Sequence, residues 1–208
     1  MTKATARESR KWTPSSGLRE IGPALQARMA TPIEEMIRTI DSNIIVGIEI
    51  TNSSKHCDLT SAATFAECGV VQSPPPPTIP KDKKGTCVFI KTPFSLYGSA
   101  GVLSYDFGDH QISLLFSNPL DCMKYDTEFA LHIPDTKTMT NRDLYNKMYT
   151  QLHESSSFTK TAVGRGNRAL QLNKEGMEIS ATMSNVHYKA VIKLEVRDHF
   201  SSPYKPNN

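Results

Sequence analysis

One apolar hairpin near the middle of the sequence constrains the fold more than any other stretch. Residues Val102–Phe107 alternate in the manner of a β-strand, and Gly108-Asp109 follows with the residue chemistry of a tight reversal. Ile112–Phe116 is a nearly continuous apolar run, typical of a strand buried on both faces. The run ends at Ser117-Asn118-Pro119, since proline has no N–H to donate to a ladder. The pattern predicts two paired strands that hold a rigid loop, Ser117–Tyr125, at one end of a sheet.

Further short segments rich in β-branched and apolar residues surround this hairpin. Turn residues separate them, and only two segments of the chain have helical periodicity. This pattern predicts a mainly β protein, a compact β-sandwich flanked by an α-helix on each side, over residues 42–199. The other predicted strands are Asn43–Thr51, Leu59–Phe65, Cys87–Lys91, Glu128–Ile133, Phe158–Val163, Ala169–Asn173, Met177–Met183 and Lys189–Val196.

The second helical segment is predicted at Asn141–Leu152. Its apolar and aromatic positions follow the spacing i, i+3, i+4, i+7, which gathers them on one face of a helix. Thr140 and Asp143 are spaced as a weak capping box for its first turn. The face consists of Tyr145, Met148, Tyr149 and Leu152.

The first helical segment precedes the sandwich, in residues 17–41. Its apolar residues recur in steps of three and four, and they are Ile21, Leu25, Met29, Ile33, Met36, Ile37 and Ile40. Pro32 restricts the firm helix to Thr31–Ile40, with Thr31 as its cap and Pro32 at its first position. Two interpretations are open: a helix packed on the sheet, and an amphipathic segment that detaches and enters a bilayer.

Charge and composition exclude some classes of partner. The chain of 208 residues carries a formal net charge of +3, and its basic residues are spread out, so we expect no nucleic-acid partner. Residues 1–16 and 200–208 read as polar tails, the first of them disordered. No apolar secretory signal is visible near the start, and no apolar stretch approaches the roughly 20 residues of a membrane span. We therefore expect a soluble protein.

No residue pattern predicts catalysis or metal binding. The sequence has no HExxH, GxSxG or P-loop motif, and its histidines lie in no recognisable constellation. The four cysteines, Cys57, Cys68, Cys87 and Cys122, have no CxxC spacing, so zinc is not expected. Buried free thiols are the preferred interpretation, and one disulfide is the alternative. We expect no enzymatic activity, no metal and no cofactor.

A set of hydroxyl-bearing residues predicts a binding site instead. If the second helix packs beside the hairpin loop, phenols and a serine hydroxyl line one shallow site, composed of Ser117, Pro119, Tyr125, Tyr145 and Tyr149. Tyrosine faces attract a quaternary ammonium, and hydroxyl groups donate hydrogen bonds to a phosphate, so the site suits phosphocholine. The alternative is that Tyr145 and Tyr149 only pack the helix onto the sheet.

The hairpin and its loop also resemble a known family. The sequence reads Gly98-Ser-Ala-Gly-Val-Leu-Ser-Tyr105, then Leu115-Phe-Ser-Asn-Pro-Leu-Asp121, followed by Tyr125. This pattern resembles the actinoporins and the actinoporin-like proteins of vertebrates, molluscs and mosses. The resemblance runs from Asn43 to Val196 and is most specific at Gly101–Tyr105, Phe116–Asp121 and Asp143–Tyr149.

The resemblance implies a fold and a function. The fold is the sandwich with two helices already predicted. The five residues of the predicted site match the family's phosphocholine site, which implies binding of sphingomyelin and phosphocholine head groups. Family members release the N-terminal helix to line an oligomeric, cation-permeable pore, and some are secreted toxins that act at a target cell membrane. A cytoplasmic location is the alternative, because no signal peptide is visible.

The sequence departs from the family in the residues that contact the membrane. Family tryptophans fall at Lys124, Glu128 and Phe129, a site serine falls at Cys68, and a helix tyrosine falls at Thr150. These losses, with the two prolines of the N-terminal segment, favour a second hypothesis. It is a non-lytic module on the same fold that binds lipid head groups or, like a lectin, glycans.

Overall fold

The computed structural model describes residues 32–164 and 169–198. The predicted tails 1–16 and 200–208 lie outside the described residues, as do Ile21, Leu25 and Met29 of the N-terminal segment. Within the described ranges the protein is mainly β, with two short helices.

The described strands form two sheets that pack face to face, which confirms the predicted β-sandwich. In chain order they are β1 Ile45–Asn52, β2 Leu59–Cys68, β3 Val70–Ser73, β4 Lys83–Ile90, β5 Ser99–Phe107, β6 His110–Asn118, β7 Glu128–His132, β8 Phe158–Ala162, β9 Leu170–Lys174, β10 Met177–Val186 and β11 Lys189–Asp198. Sheet A has six strands in the order β3-β4-β1-β11-β10-β9, and sheet B has five in the order β2-β5-β6-β7-β8. Strands β1 and β11 pair in parallel.

Most strands are longer than the sequence predicted. Strand β4 begins at Lys83 rather than Cys87, β10 continues to Val186, and the short edge strand β3 was not predicted. Most of the residues missed in β3, β4 and β10 are exposed, so they do not alternate between core and solvent, and backbone pairing extends the strands through them.

The predicted central hairpin is β5 and β6, and it runs through the middle of sheet B. The turn has Gly108 at a φ of +59°, and the register places Ser99 opposite Asn118. One face of the hairpin meets sheet A, where Phe89 packs on Phe116 with ring centroids 4.6 Å apart. The other face is also buried, because the second helix covers it, so β5 does not alternate between core and solvent as predicted.

The second helix lies on the outer face of sheet B, packed on β2 and β5. It begins as α2, Arg142–Asn146, and continues as a π-helical turn over Lys147–Gln151. The predicted cap was wrong: the side chain of Asn141, not Thr140, accepts hydrogen bonds from the amides of Asp143 and Leu144 at 3.0 and 3.1 Å. Asparagine at the N-cap bonds these free N–H groups directly, so the Thr140–Asp143 box is not needed.

The first helix lies on the outer face of sheet A, so the prediction of one helix on each side is confirmed. It is α1, Ile33–Arg38, with Pro32 as its N-cap, which is shorter than the predicted Thr31–Ile40. Ile33 and Ile37 are buried, and Met36 and Ile40 are partly buried against the sheet. Gly47 of β1 makes this packing possible, since a Cβ there would lie 2.7 Å from Ile37 Cγ2 and 2.8 Å from Ile33 Cγ1.

Polar contacts add to the attachment of α1. Glu34 forms an ion pair with Lys193 of β11 at 2.7 Å, and the pKa of Glu34 is lowered chiefly by the hydrogen bond from Lys193. The Lys189 ammonium donates to the carbonyl of Ile37 at 3.3 Å, near the C-terminal end of the helix, where a positive charge is favourable. In this structure the apolar face of α1 is therefore used for packing.

All four cysteines are free. Cys87 is buried in the core, and burial raises the pKa of its thiol to about 12. Cys57 and Cys68 are half-buried, and Cys122 is exposed. The prediction of free thiols is confirmed, but the prediction that they are buried holds fully only for Cys87.

We expect Gly47→Ala to loosen α1. The added methyl group would overlap two branched side chains, and such overpacking costs about 1–3 kcal/mol. Hydrogen exchange of the Ile33–Arg38 amides should accelerate, and urea unfolding should shift to lower denaturant. Thr182→Ala, at an exposed position of sheet A, is the control and should leave the exchange of α1 unchanged. Equal exchange in both variants would show that α1 does not depend on Gly47.

Candidate functional site

A single cleft contains all five residues of the predicted site. It has a volume of about 170 Å³ and lies between the start of β5, the end of β6 and the second helix. Ser117, Pro119, Tyr125, Tyr145 and Tyr149 all line it. The proximity predicted from the sequence is therefore present, whereas binding itself stays a prediction.

Asn118, at the end of β6, fixes the loop that forms one wall of the cleft. The Asn118 side chain is fully buried, and its Nδ2 donates to the carbonyls of Ile45 at 3.1 Å and Tyr188 at 2.7 Å. Its Oδ1 accepts from Nδ2 of Asn185 at 3.0 Å. Ile45 begins β1 and Tyr188 lies in the turn between β10 and β11, so Asn118 bonds the end of sheet B to the same end of sheet A.

The loop after Pro119 is held by its own turn. Oδ1 of Asp121 accepts from the amides of Met123 and Lys124 at 3.1 and 3.2 Å, and the Tyr125 amide donates to the Asp121 carbonyl at 3.0 Å. An aspartate that bonds amides two and three residues ahead of it is typical of a stable turn. It leaves the Tyr125 ring half exposed at the mouth of the cleft.

Tyr145 and Tyr149 form an aromatic stack at the wall opposite the loop. Their ring centroids lie 5.4 Å apart with an interplanar angle of 10°, and Phe65 of β2 lies 6.2 Å from Tyr145. Tyr145 is only 8% exposed and belongs to the apolar cluster under the helix. These tyrosines therefore pack the helix onto the sheet and also line the cleft, and their role in ligand binding stays a prediction.

The phenols of the stack stay protonated at neutral pH. Burial raises the pKa of Tyr145 and of Tyr149, and the carboxylate of Glu128 raises both further. A protonated phenol is a hydrogen-bond donor, which an anionic ligand group requires. The two phenols therefore suit a ligand group that accepts hydrogen bonds, such as a phosphate oxygen, better than a ligand group that donates them.

Lys160 of β8 adds a positive charge behind the stack. Its Nζ lies 4.4 Å from the centroid of the Tyr149 ring, pairs with Glu128 Oε2 at 2.7 Å and donates to the Tyr149 carbonyl at 3.0 Å. Three short contacts hold this ammonium group in place. No sequence pattern pointed to it, since Lys160 lies in a separate strand.

The cleft has further lining residues that the sequence did not predict, among them Leu96, Tyr97 and Ser99. Ser99 could have been found, because the hairpin turn at Gly108-Asp109 sets a register that places it opposite Asn118. Its Oγ is buried and has no hydrogen-bond partner among the described residues. Leu96 and Tyr97 lie in a loop without periodicity, and Gly98 brings that loop against the loop after β6: a Cβ on Gly98 would overlap the Asn118 carbonyl.

The departures from the actinoporin pattern fall in different environments. Cys68 lines the cleft where the family has a serine, and burial raises the pKa of its thiol. Phe129 is buried in the sandwich core and Lys124 is exposed, so neither replaces an interfacial tryptophan. Thr150 is exposed, and its hydroxyl donates to the Asn146 carbonyl at 2.8 Å.

Exposed apolar side chains are concentrated around the cleft. At one end of sheet A, Ile45 pairs with Ile90 on one side and with Lys189 on the other, and Asn118 joins the end of sheet B to Ile45. We call this end, with its loops 91–98, 119–127 and 186–189, the apolar pole. Its exposed apolar residues are Val70, Phe94, Leu96, Tyr97, Met123, Tyr125, Val186 and Tyr188.

The opposite end of the sandwich is charged. Ion pairs there include Lys55–Asp82, Lys137–Asp106 and Lys174–Asp135, with N–O distances of 2.6, 3.1 and 2.7 Å. Surface pairs of this kind contribute little to stability, but they keep the surface well hydrated. The two ends of the molecule therefore differ sharply in polarity.

Residues 32–164 and 169–198 contain neither a metal-ligand cluster nor a membrane-spanning helix. No group of three or more His, Cys, Asp or Glu side chains could hold a metal ion. No helix in these ranges has the length and apolar character required to cross a membrane.

Comparison with known proteins identifies the fold but no family. No protein-family model matches the chain, and no curated protein matches it in sequence. Among solved structures, the lipid-binding protein Nakanori matches 78% of this chain and 75% of its own, with a TM-score of 0.62 and 12% identity. The chain shares the fold of Nakanori. The RahU protein in complex with a Tris molecule matches with a TM-score of 0.40 and 5% identity, over 79% of this chain and 98% of its own.

At 12% identity the Nakanori match concerns the fold alone. Membership of the actinoporin family stays a prediction from the sequence motifs. The site residues are likewise supported by their own geometry, not by the comparison.

We expect Asn118→Ala to destabilise the protein and disorder the cleft wall. The change removes the hydrogen bonds to the carbonyls of Ile45 and Tyr188 and the one from Asn185, and leaving such groups unsatisfied costs about 2–3 kcal/mol. Urea unfolding measures the loss, and Asn173→Ala, at an exposed position of β9, should stay within about 0.5 kcal/mol of the original protein. Equal stabilities of the two variants would exclude the structural role of Asn118.

Proposed function

We propose that this protein binds membrane lipids by their head groups, with phosphocholine and sphingomyelin as the preferred ligands. The observation that carries the proposal is that a cleft lined by protonated phenols and serine hydroxyls opens in the middle of an exposed apolar pole. The match in fold to a lipid-binding protein supports it at a coarse level. The proposed activity is binding, not catalysis.

The chemistry of the cleft suits a small zwitterion. Ser117 and the phenols of Tyr145 and Tyr149 supply donors for phosphate oxygens, and exposed tyrosine rings supply faces for a cation. A volume of about 170 Å³ is below the roughly 300–1,000 Å³ of sites for drug-sized ligands. A head group fits this size better than a whole lipid.

The apolar pole would complete the contact with the bilayer. Phe94 and Met123 are fully exposed in the two loops that also contribute lining residues to the cleft, and they would enter the interfacial region while the head group occupies the site. Burial of such side chains is worth about 1.5–3 kcal/mol each when complete. The charged end of the sandwich would then face water.

Pore formation is the next step of this proposal. The N-terminal segment, with Ile33 and Ile37 of α1, would leave sheet A and insert, and several copies would assemble into a cation-permeable pore at a target cell membrane. The short connection between α1 and β1, residues 39–44, is the point at which the chain would bend.

A non-lytic module is the second candidate, and one observation favours it. Ile33 and Ile37 are buried against Gly47, and the Glu34–Lys193 ion pair adds to their attachment. If α1 stays in place, the protein binds head groups, or glycans in the manner of a lectin, without lysis. Secretion and the cytoplasmic alternative stay predictions.

The role of the apolar pole can be tested by a double variant. Phe94→Ser with Met123→Ser removes two exposed apolar groups that do not line the cleft. We expect binding to sphingomyelin/phosphatidylcholine vesicles to fall roughly tenfold or more, with unchanged affinity for free phosphocholine. Met139→Ser is the control, because Met139 is exposed near the opposite end.

Two results would contradict the proposal. One is equal vesicle binding by the double variant and the control. The other is equal binding of the original protein to vesicles of phosphatidylglycerol alone, which has no choline group.

The release of α1 can be tested with a reversible lock. A Cβ at residue 47 would lie 2.7 Å from Ile37 Cγ2, so Gly47→Cys with Ile37→Cys places two thiols within reach of a disulfide. Cys122→Ser in the same chain prevents pairing between molecules at the exposed thiol. We expect calcein release from choline-lipid vesicles to cease in the oxidised protein and to return on reduction, with vesicle binding unchanged.

The two candidates give different results in this assay. Leakage that continues in the oxidised protein would overturn the release of α1. Vesicle binding without leakage in any form, including the original sequence, would replace the pore by the non-lytic module.

A further inference from the structure

We propose that Tyr97 is the residue that receives the cation of the head group, and that the Tyr145–Tyr149 stack receives only the phosphate. This inference rests on the proposed function, and it assigns an orientation to the ligand within the cleft. It follows from the surroundings of each tyrosine that lines the cleft.

The ring of Tyr149 already has a cation. The Lys160 ammonium lies 4.4 Å from its centroid, and the Glu128 carboxylate and the Tyr149 carbonyl hold that ammonium in place. Two like charges on one ring repel each other in a site that is partly shielded from water. A choline group would therefore gain no net cation–π attraction from the Tyr149 ring.

The ring of Tyr145 is not accessible. It is 8% exposed, with Tyr149 stacked beside it at 5.4 Å and Phe65 at 6.2 Å. A quaternary ammonium needs direct contact with a ring face, because cation–π attraction acts within about 6 Å of the centroid. Tyr145 contributes its hydroxyl and the packing of the stack.

Tyr125 is half exposed, but a lysine of the same loop competes for it. The Lys124 ammonium lies 5.3 Å from the centroid of the Tyr125 ring. Lys124 is itself exposed, so its charge is screened and its contact is weaker than that of Lys160. Tyr125 is therefore a secondary position for the cation.

Tyr97 has the most accessible ring in the cleft. It is 70% exposed, and no ring or cation lies against it among the described residues. Its backbone is fixed nonetheless: the Tyr97 amide donates to Oγ of Ser95 at 3.0 Å, and Gly98 places the loop against the Asn118–Pro119 backbone. A fixed backbone with an open ring face is suited to a cation.

Charge around the cleft favours the same orientation. On the helix side, the phenols of Tyr145 and Tyr149 offer donors to a phosphate, and the Lys160 charge nearby is offset by its ion pair with Glu128 at 2.7 Å. On the loop side, the Asp121 carboxylate lines the cleft together with Tyr97 and attracts a positive group. A zwitterion therefore lies with its phosphate toward the second helix and its cation toward Tyr97.

Three substitutions in the full chain test this assignment by titration with free phosphocholine and with inorganic phosphate. Tyr97→Leu should weaken phosphocholine binding by roughly 5- to 30-fold, the usual range for loss of a cation–π contact. Tyr97→Phe keeps the ring and should stay within about twofold of the original affinity. Neither change should alter phosphate binding.

Tyr149→Phe is the matched variant for the other end of the ligand. It removes a hydroxyl and keeps the ring, so it should weaken phosphocholine and phosphate by the same factor. Thermal unfolding of each variant confirms that it is folded, and the exposure of Tyr97 makes its substitution mild.

The outcomes separate this inference from the proposed function. Phosphocholine binding that survives Tyr97→Leu overturns the role of Tyr97 and leaves head-group binding intact. A loss that is equal for phosphocholine and inorganic phosphate also overturns it, because the ring would then not act on the cation. Absence of phosphocholine binding by the original protein overturns both.

Discussion

The buried amide of Asn118 is the interaction on which the candidate site depends. Its hydrogen bonds to the carbonyls of Ile45 and Tyr188 join the two sheets at the apolar pole, and its bond to Asn185 satisfies the remaining acceptor. Buried amides with all partners present make a local structure rigid, and they are costly when one partner is lost. Because Pro119 follows Asn118 directly, these hydrogen bonds fix the position of the loop that forms one wall of the cleft.

Polarity is divided between the two ends of the sandwich, and the cleft lies at the apolar end. In the proposed function, a membrane interface would accommodate both features of that end: lipid would surround Phe94 and Met123, and the head group would contact the hydroxyl groups of the cleft. Beside the cleft, the Lys160 ammonium lies over the Tyr149 ring, whereas the Tyr97 ring is exposed. The proposed orientation of a head group depends on this difference between otherwise similar tyrosines.

Local patterns predicted part of the fold accurately. The hairpin turn at Gly108, the two-sided burial of β6 and the sandwich with a helix on each side follow from periodicity and turn chemistry, which act over a few residues. The cap at Asn141 and the π-helical turn after Asn146 were missed, because the sequence offers several nearby cap residues and a helical pattern does not distinguish an α-turn from a π-turn.

The sequence by itself determined the strands, the loop after β6 and the two helical faces, since each depends on the order of apolar and polar residues along a short stretch. It also identified the five residues of the candidate site through a resemblance in motif. Only the tertiary structure decided which of the tyrosine rings in the cleft are exposed and free of a neighbouring cation. Lys160 reaches the Tyr149 ring from β8, and Tyr97 reaches the cleft from an irregular loop, and contacts between segments so far apart leave no periodic trace in the chain.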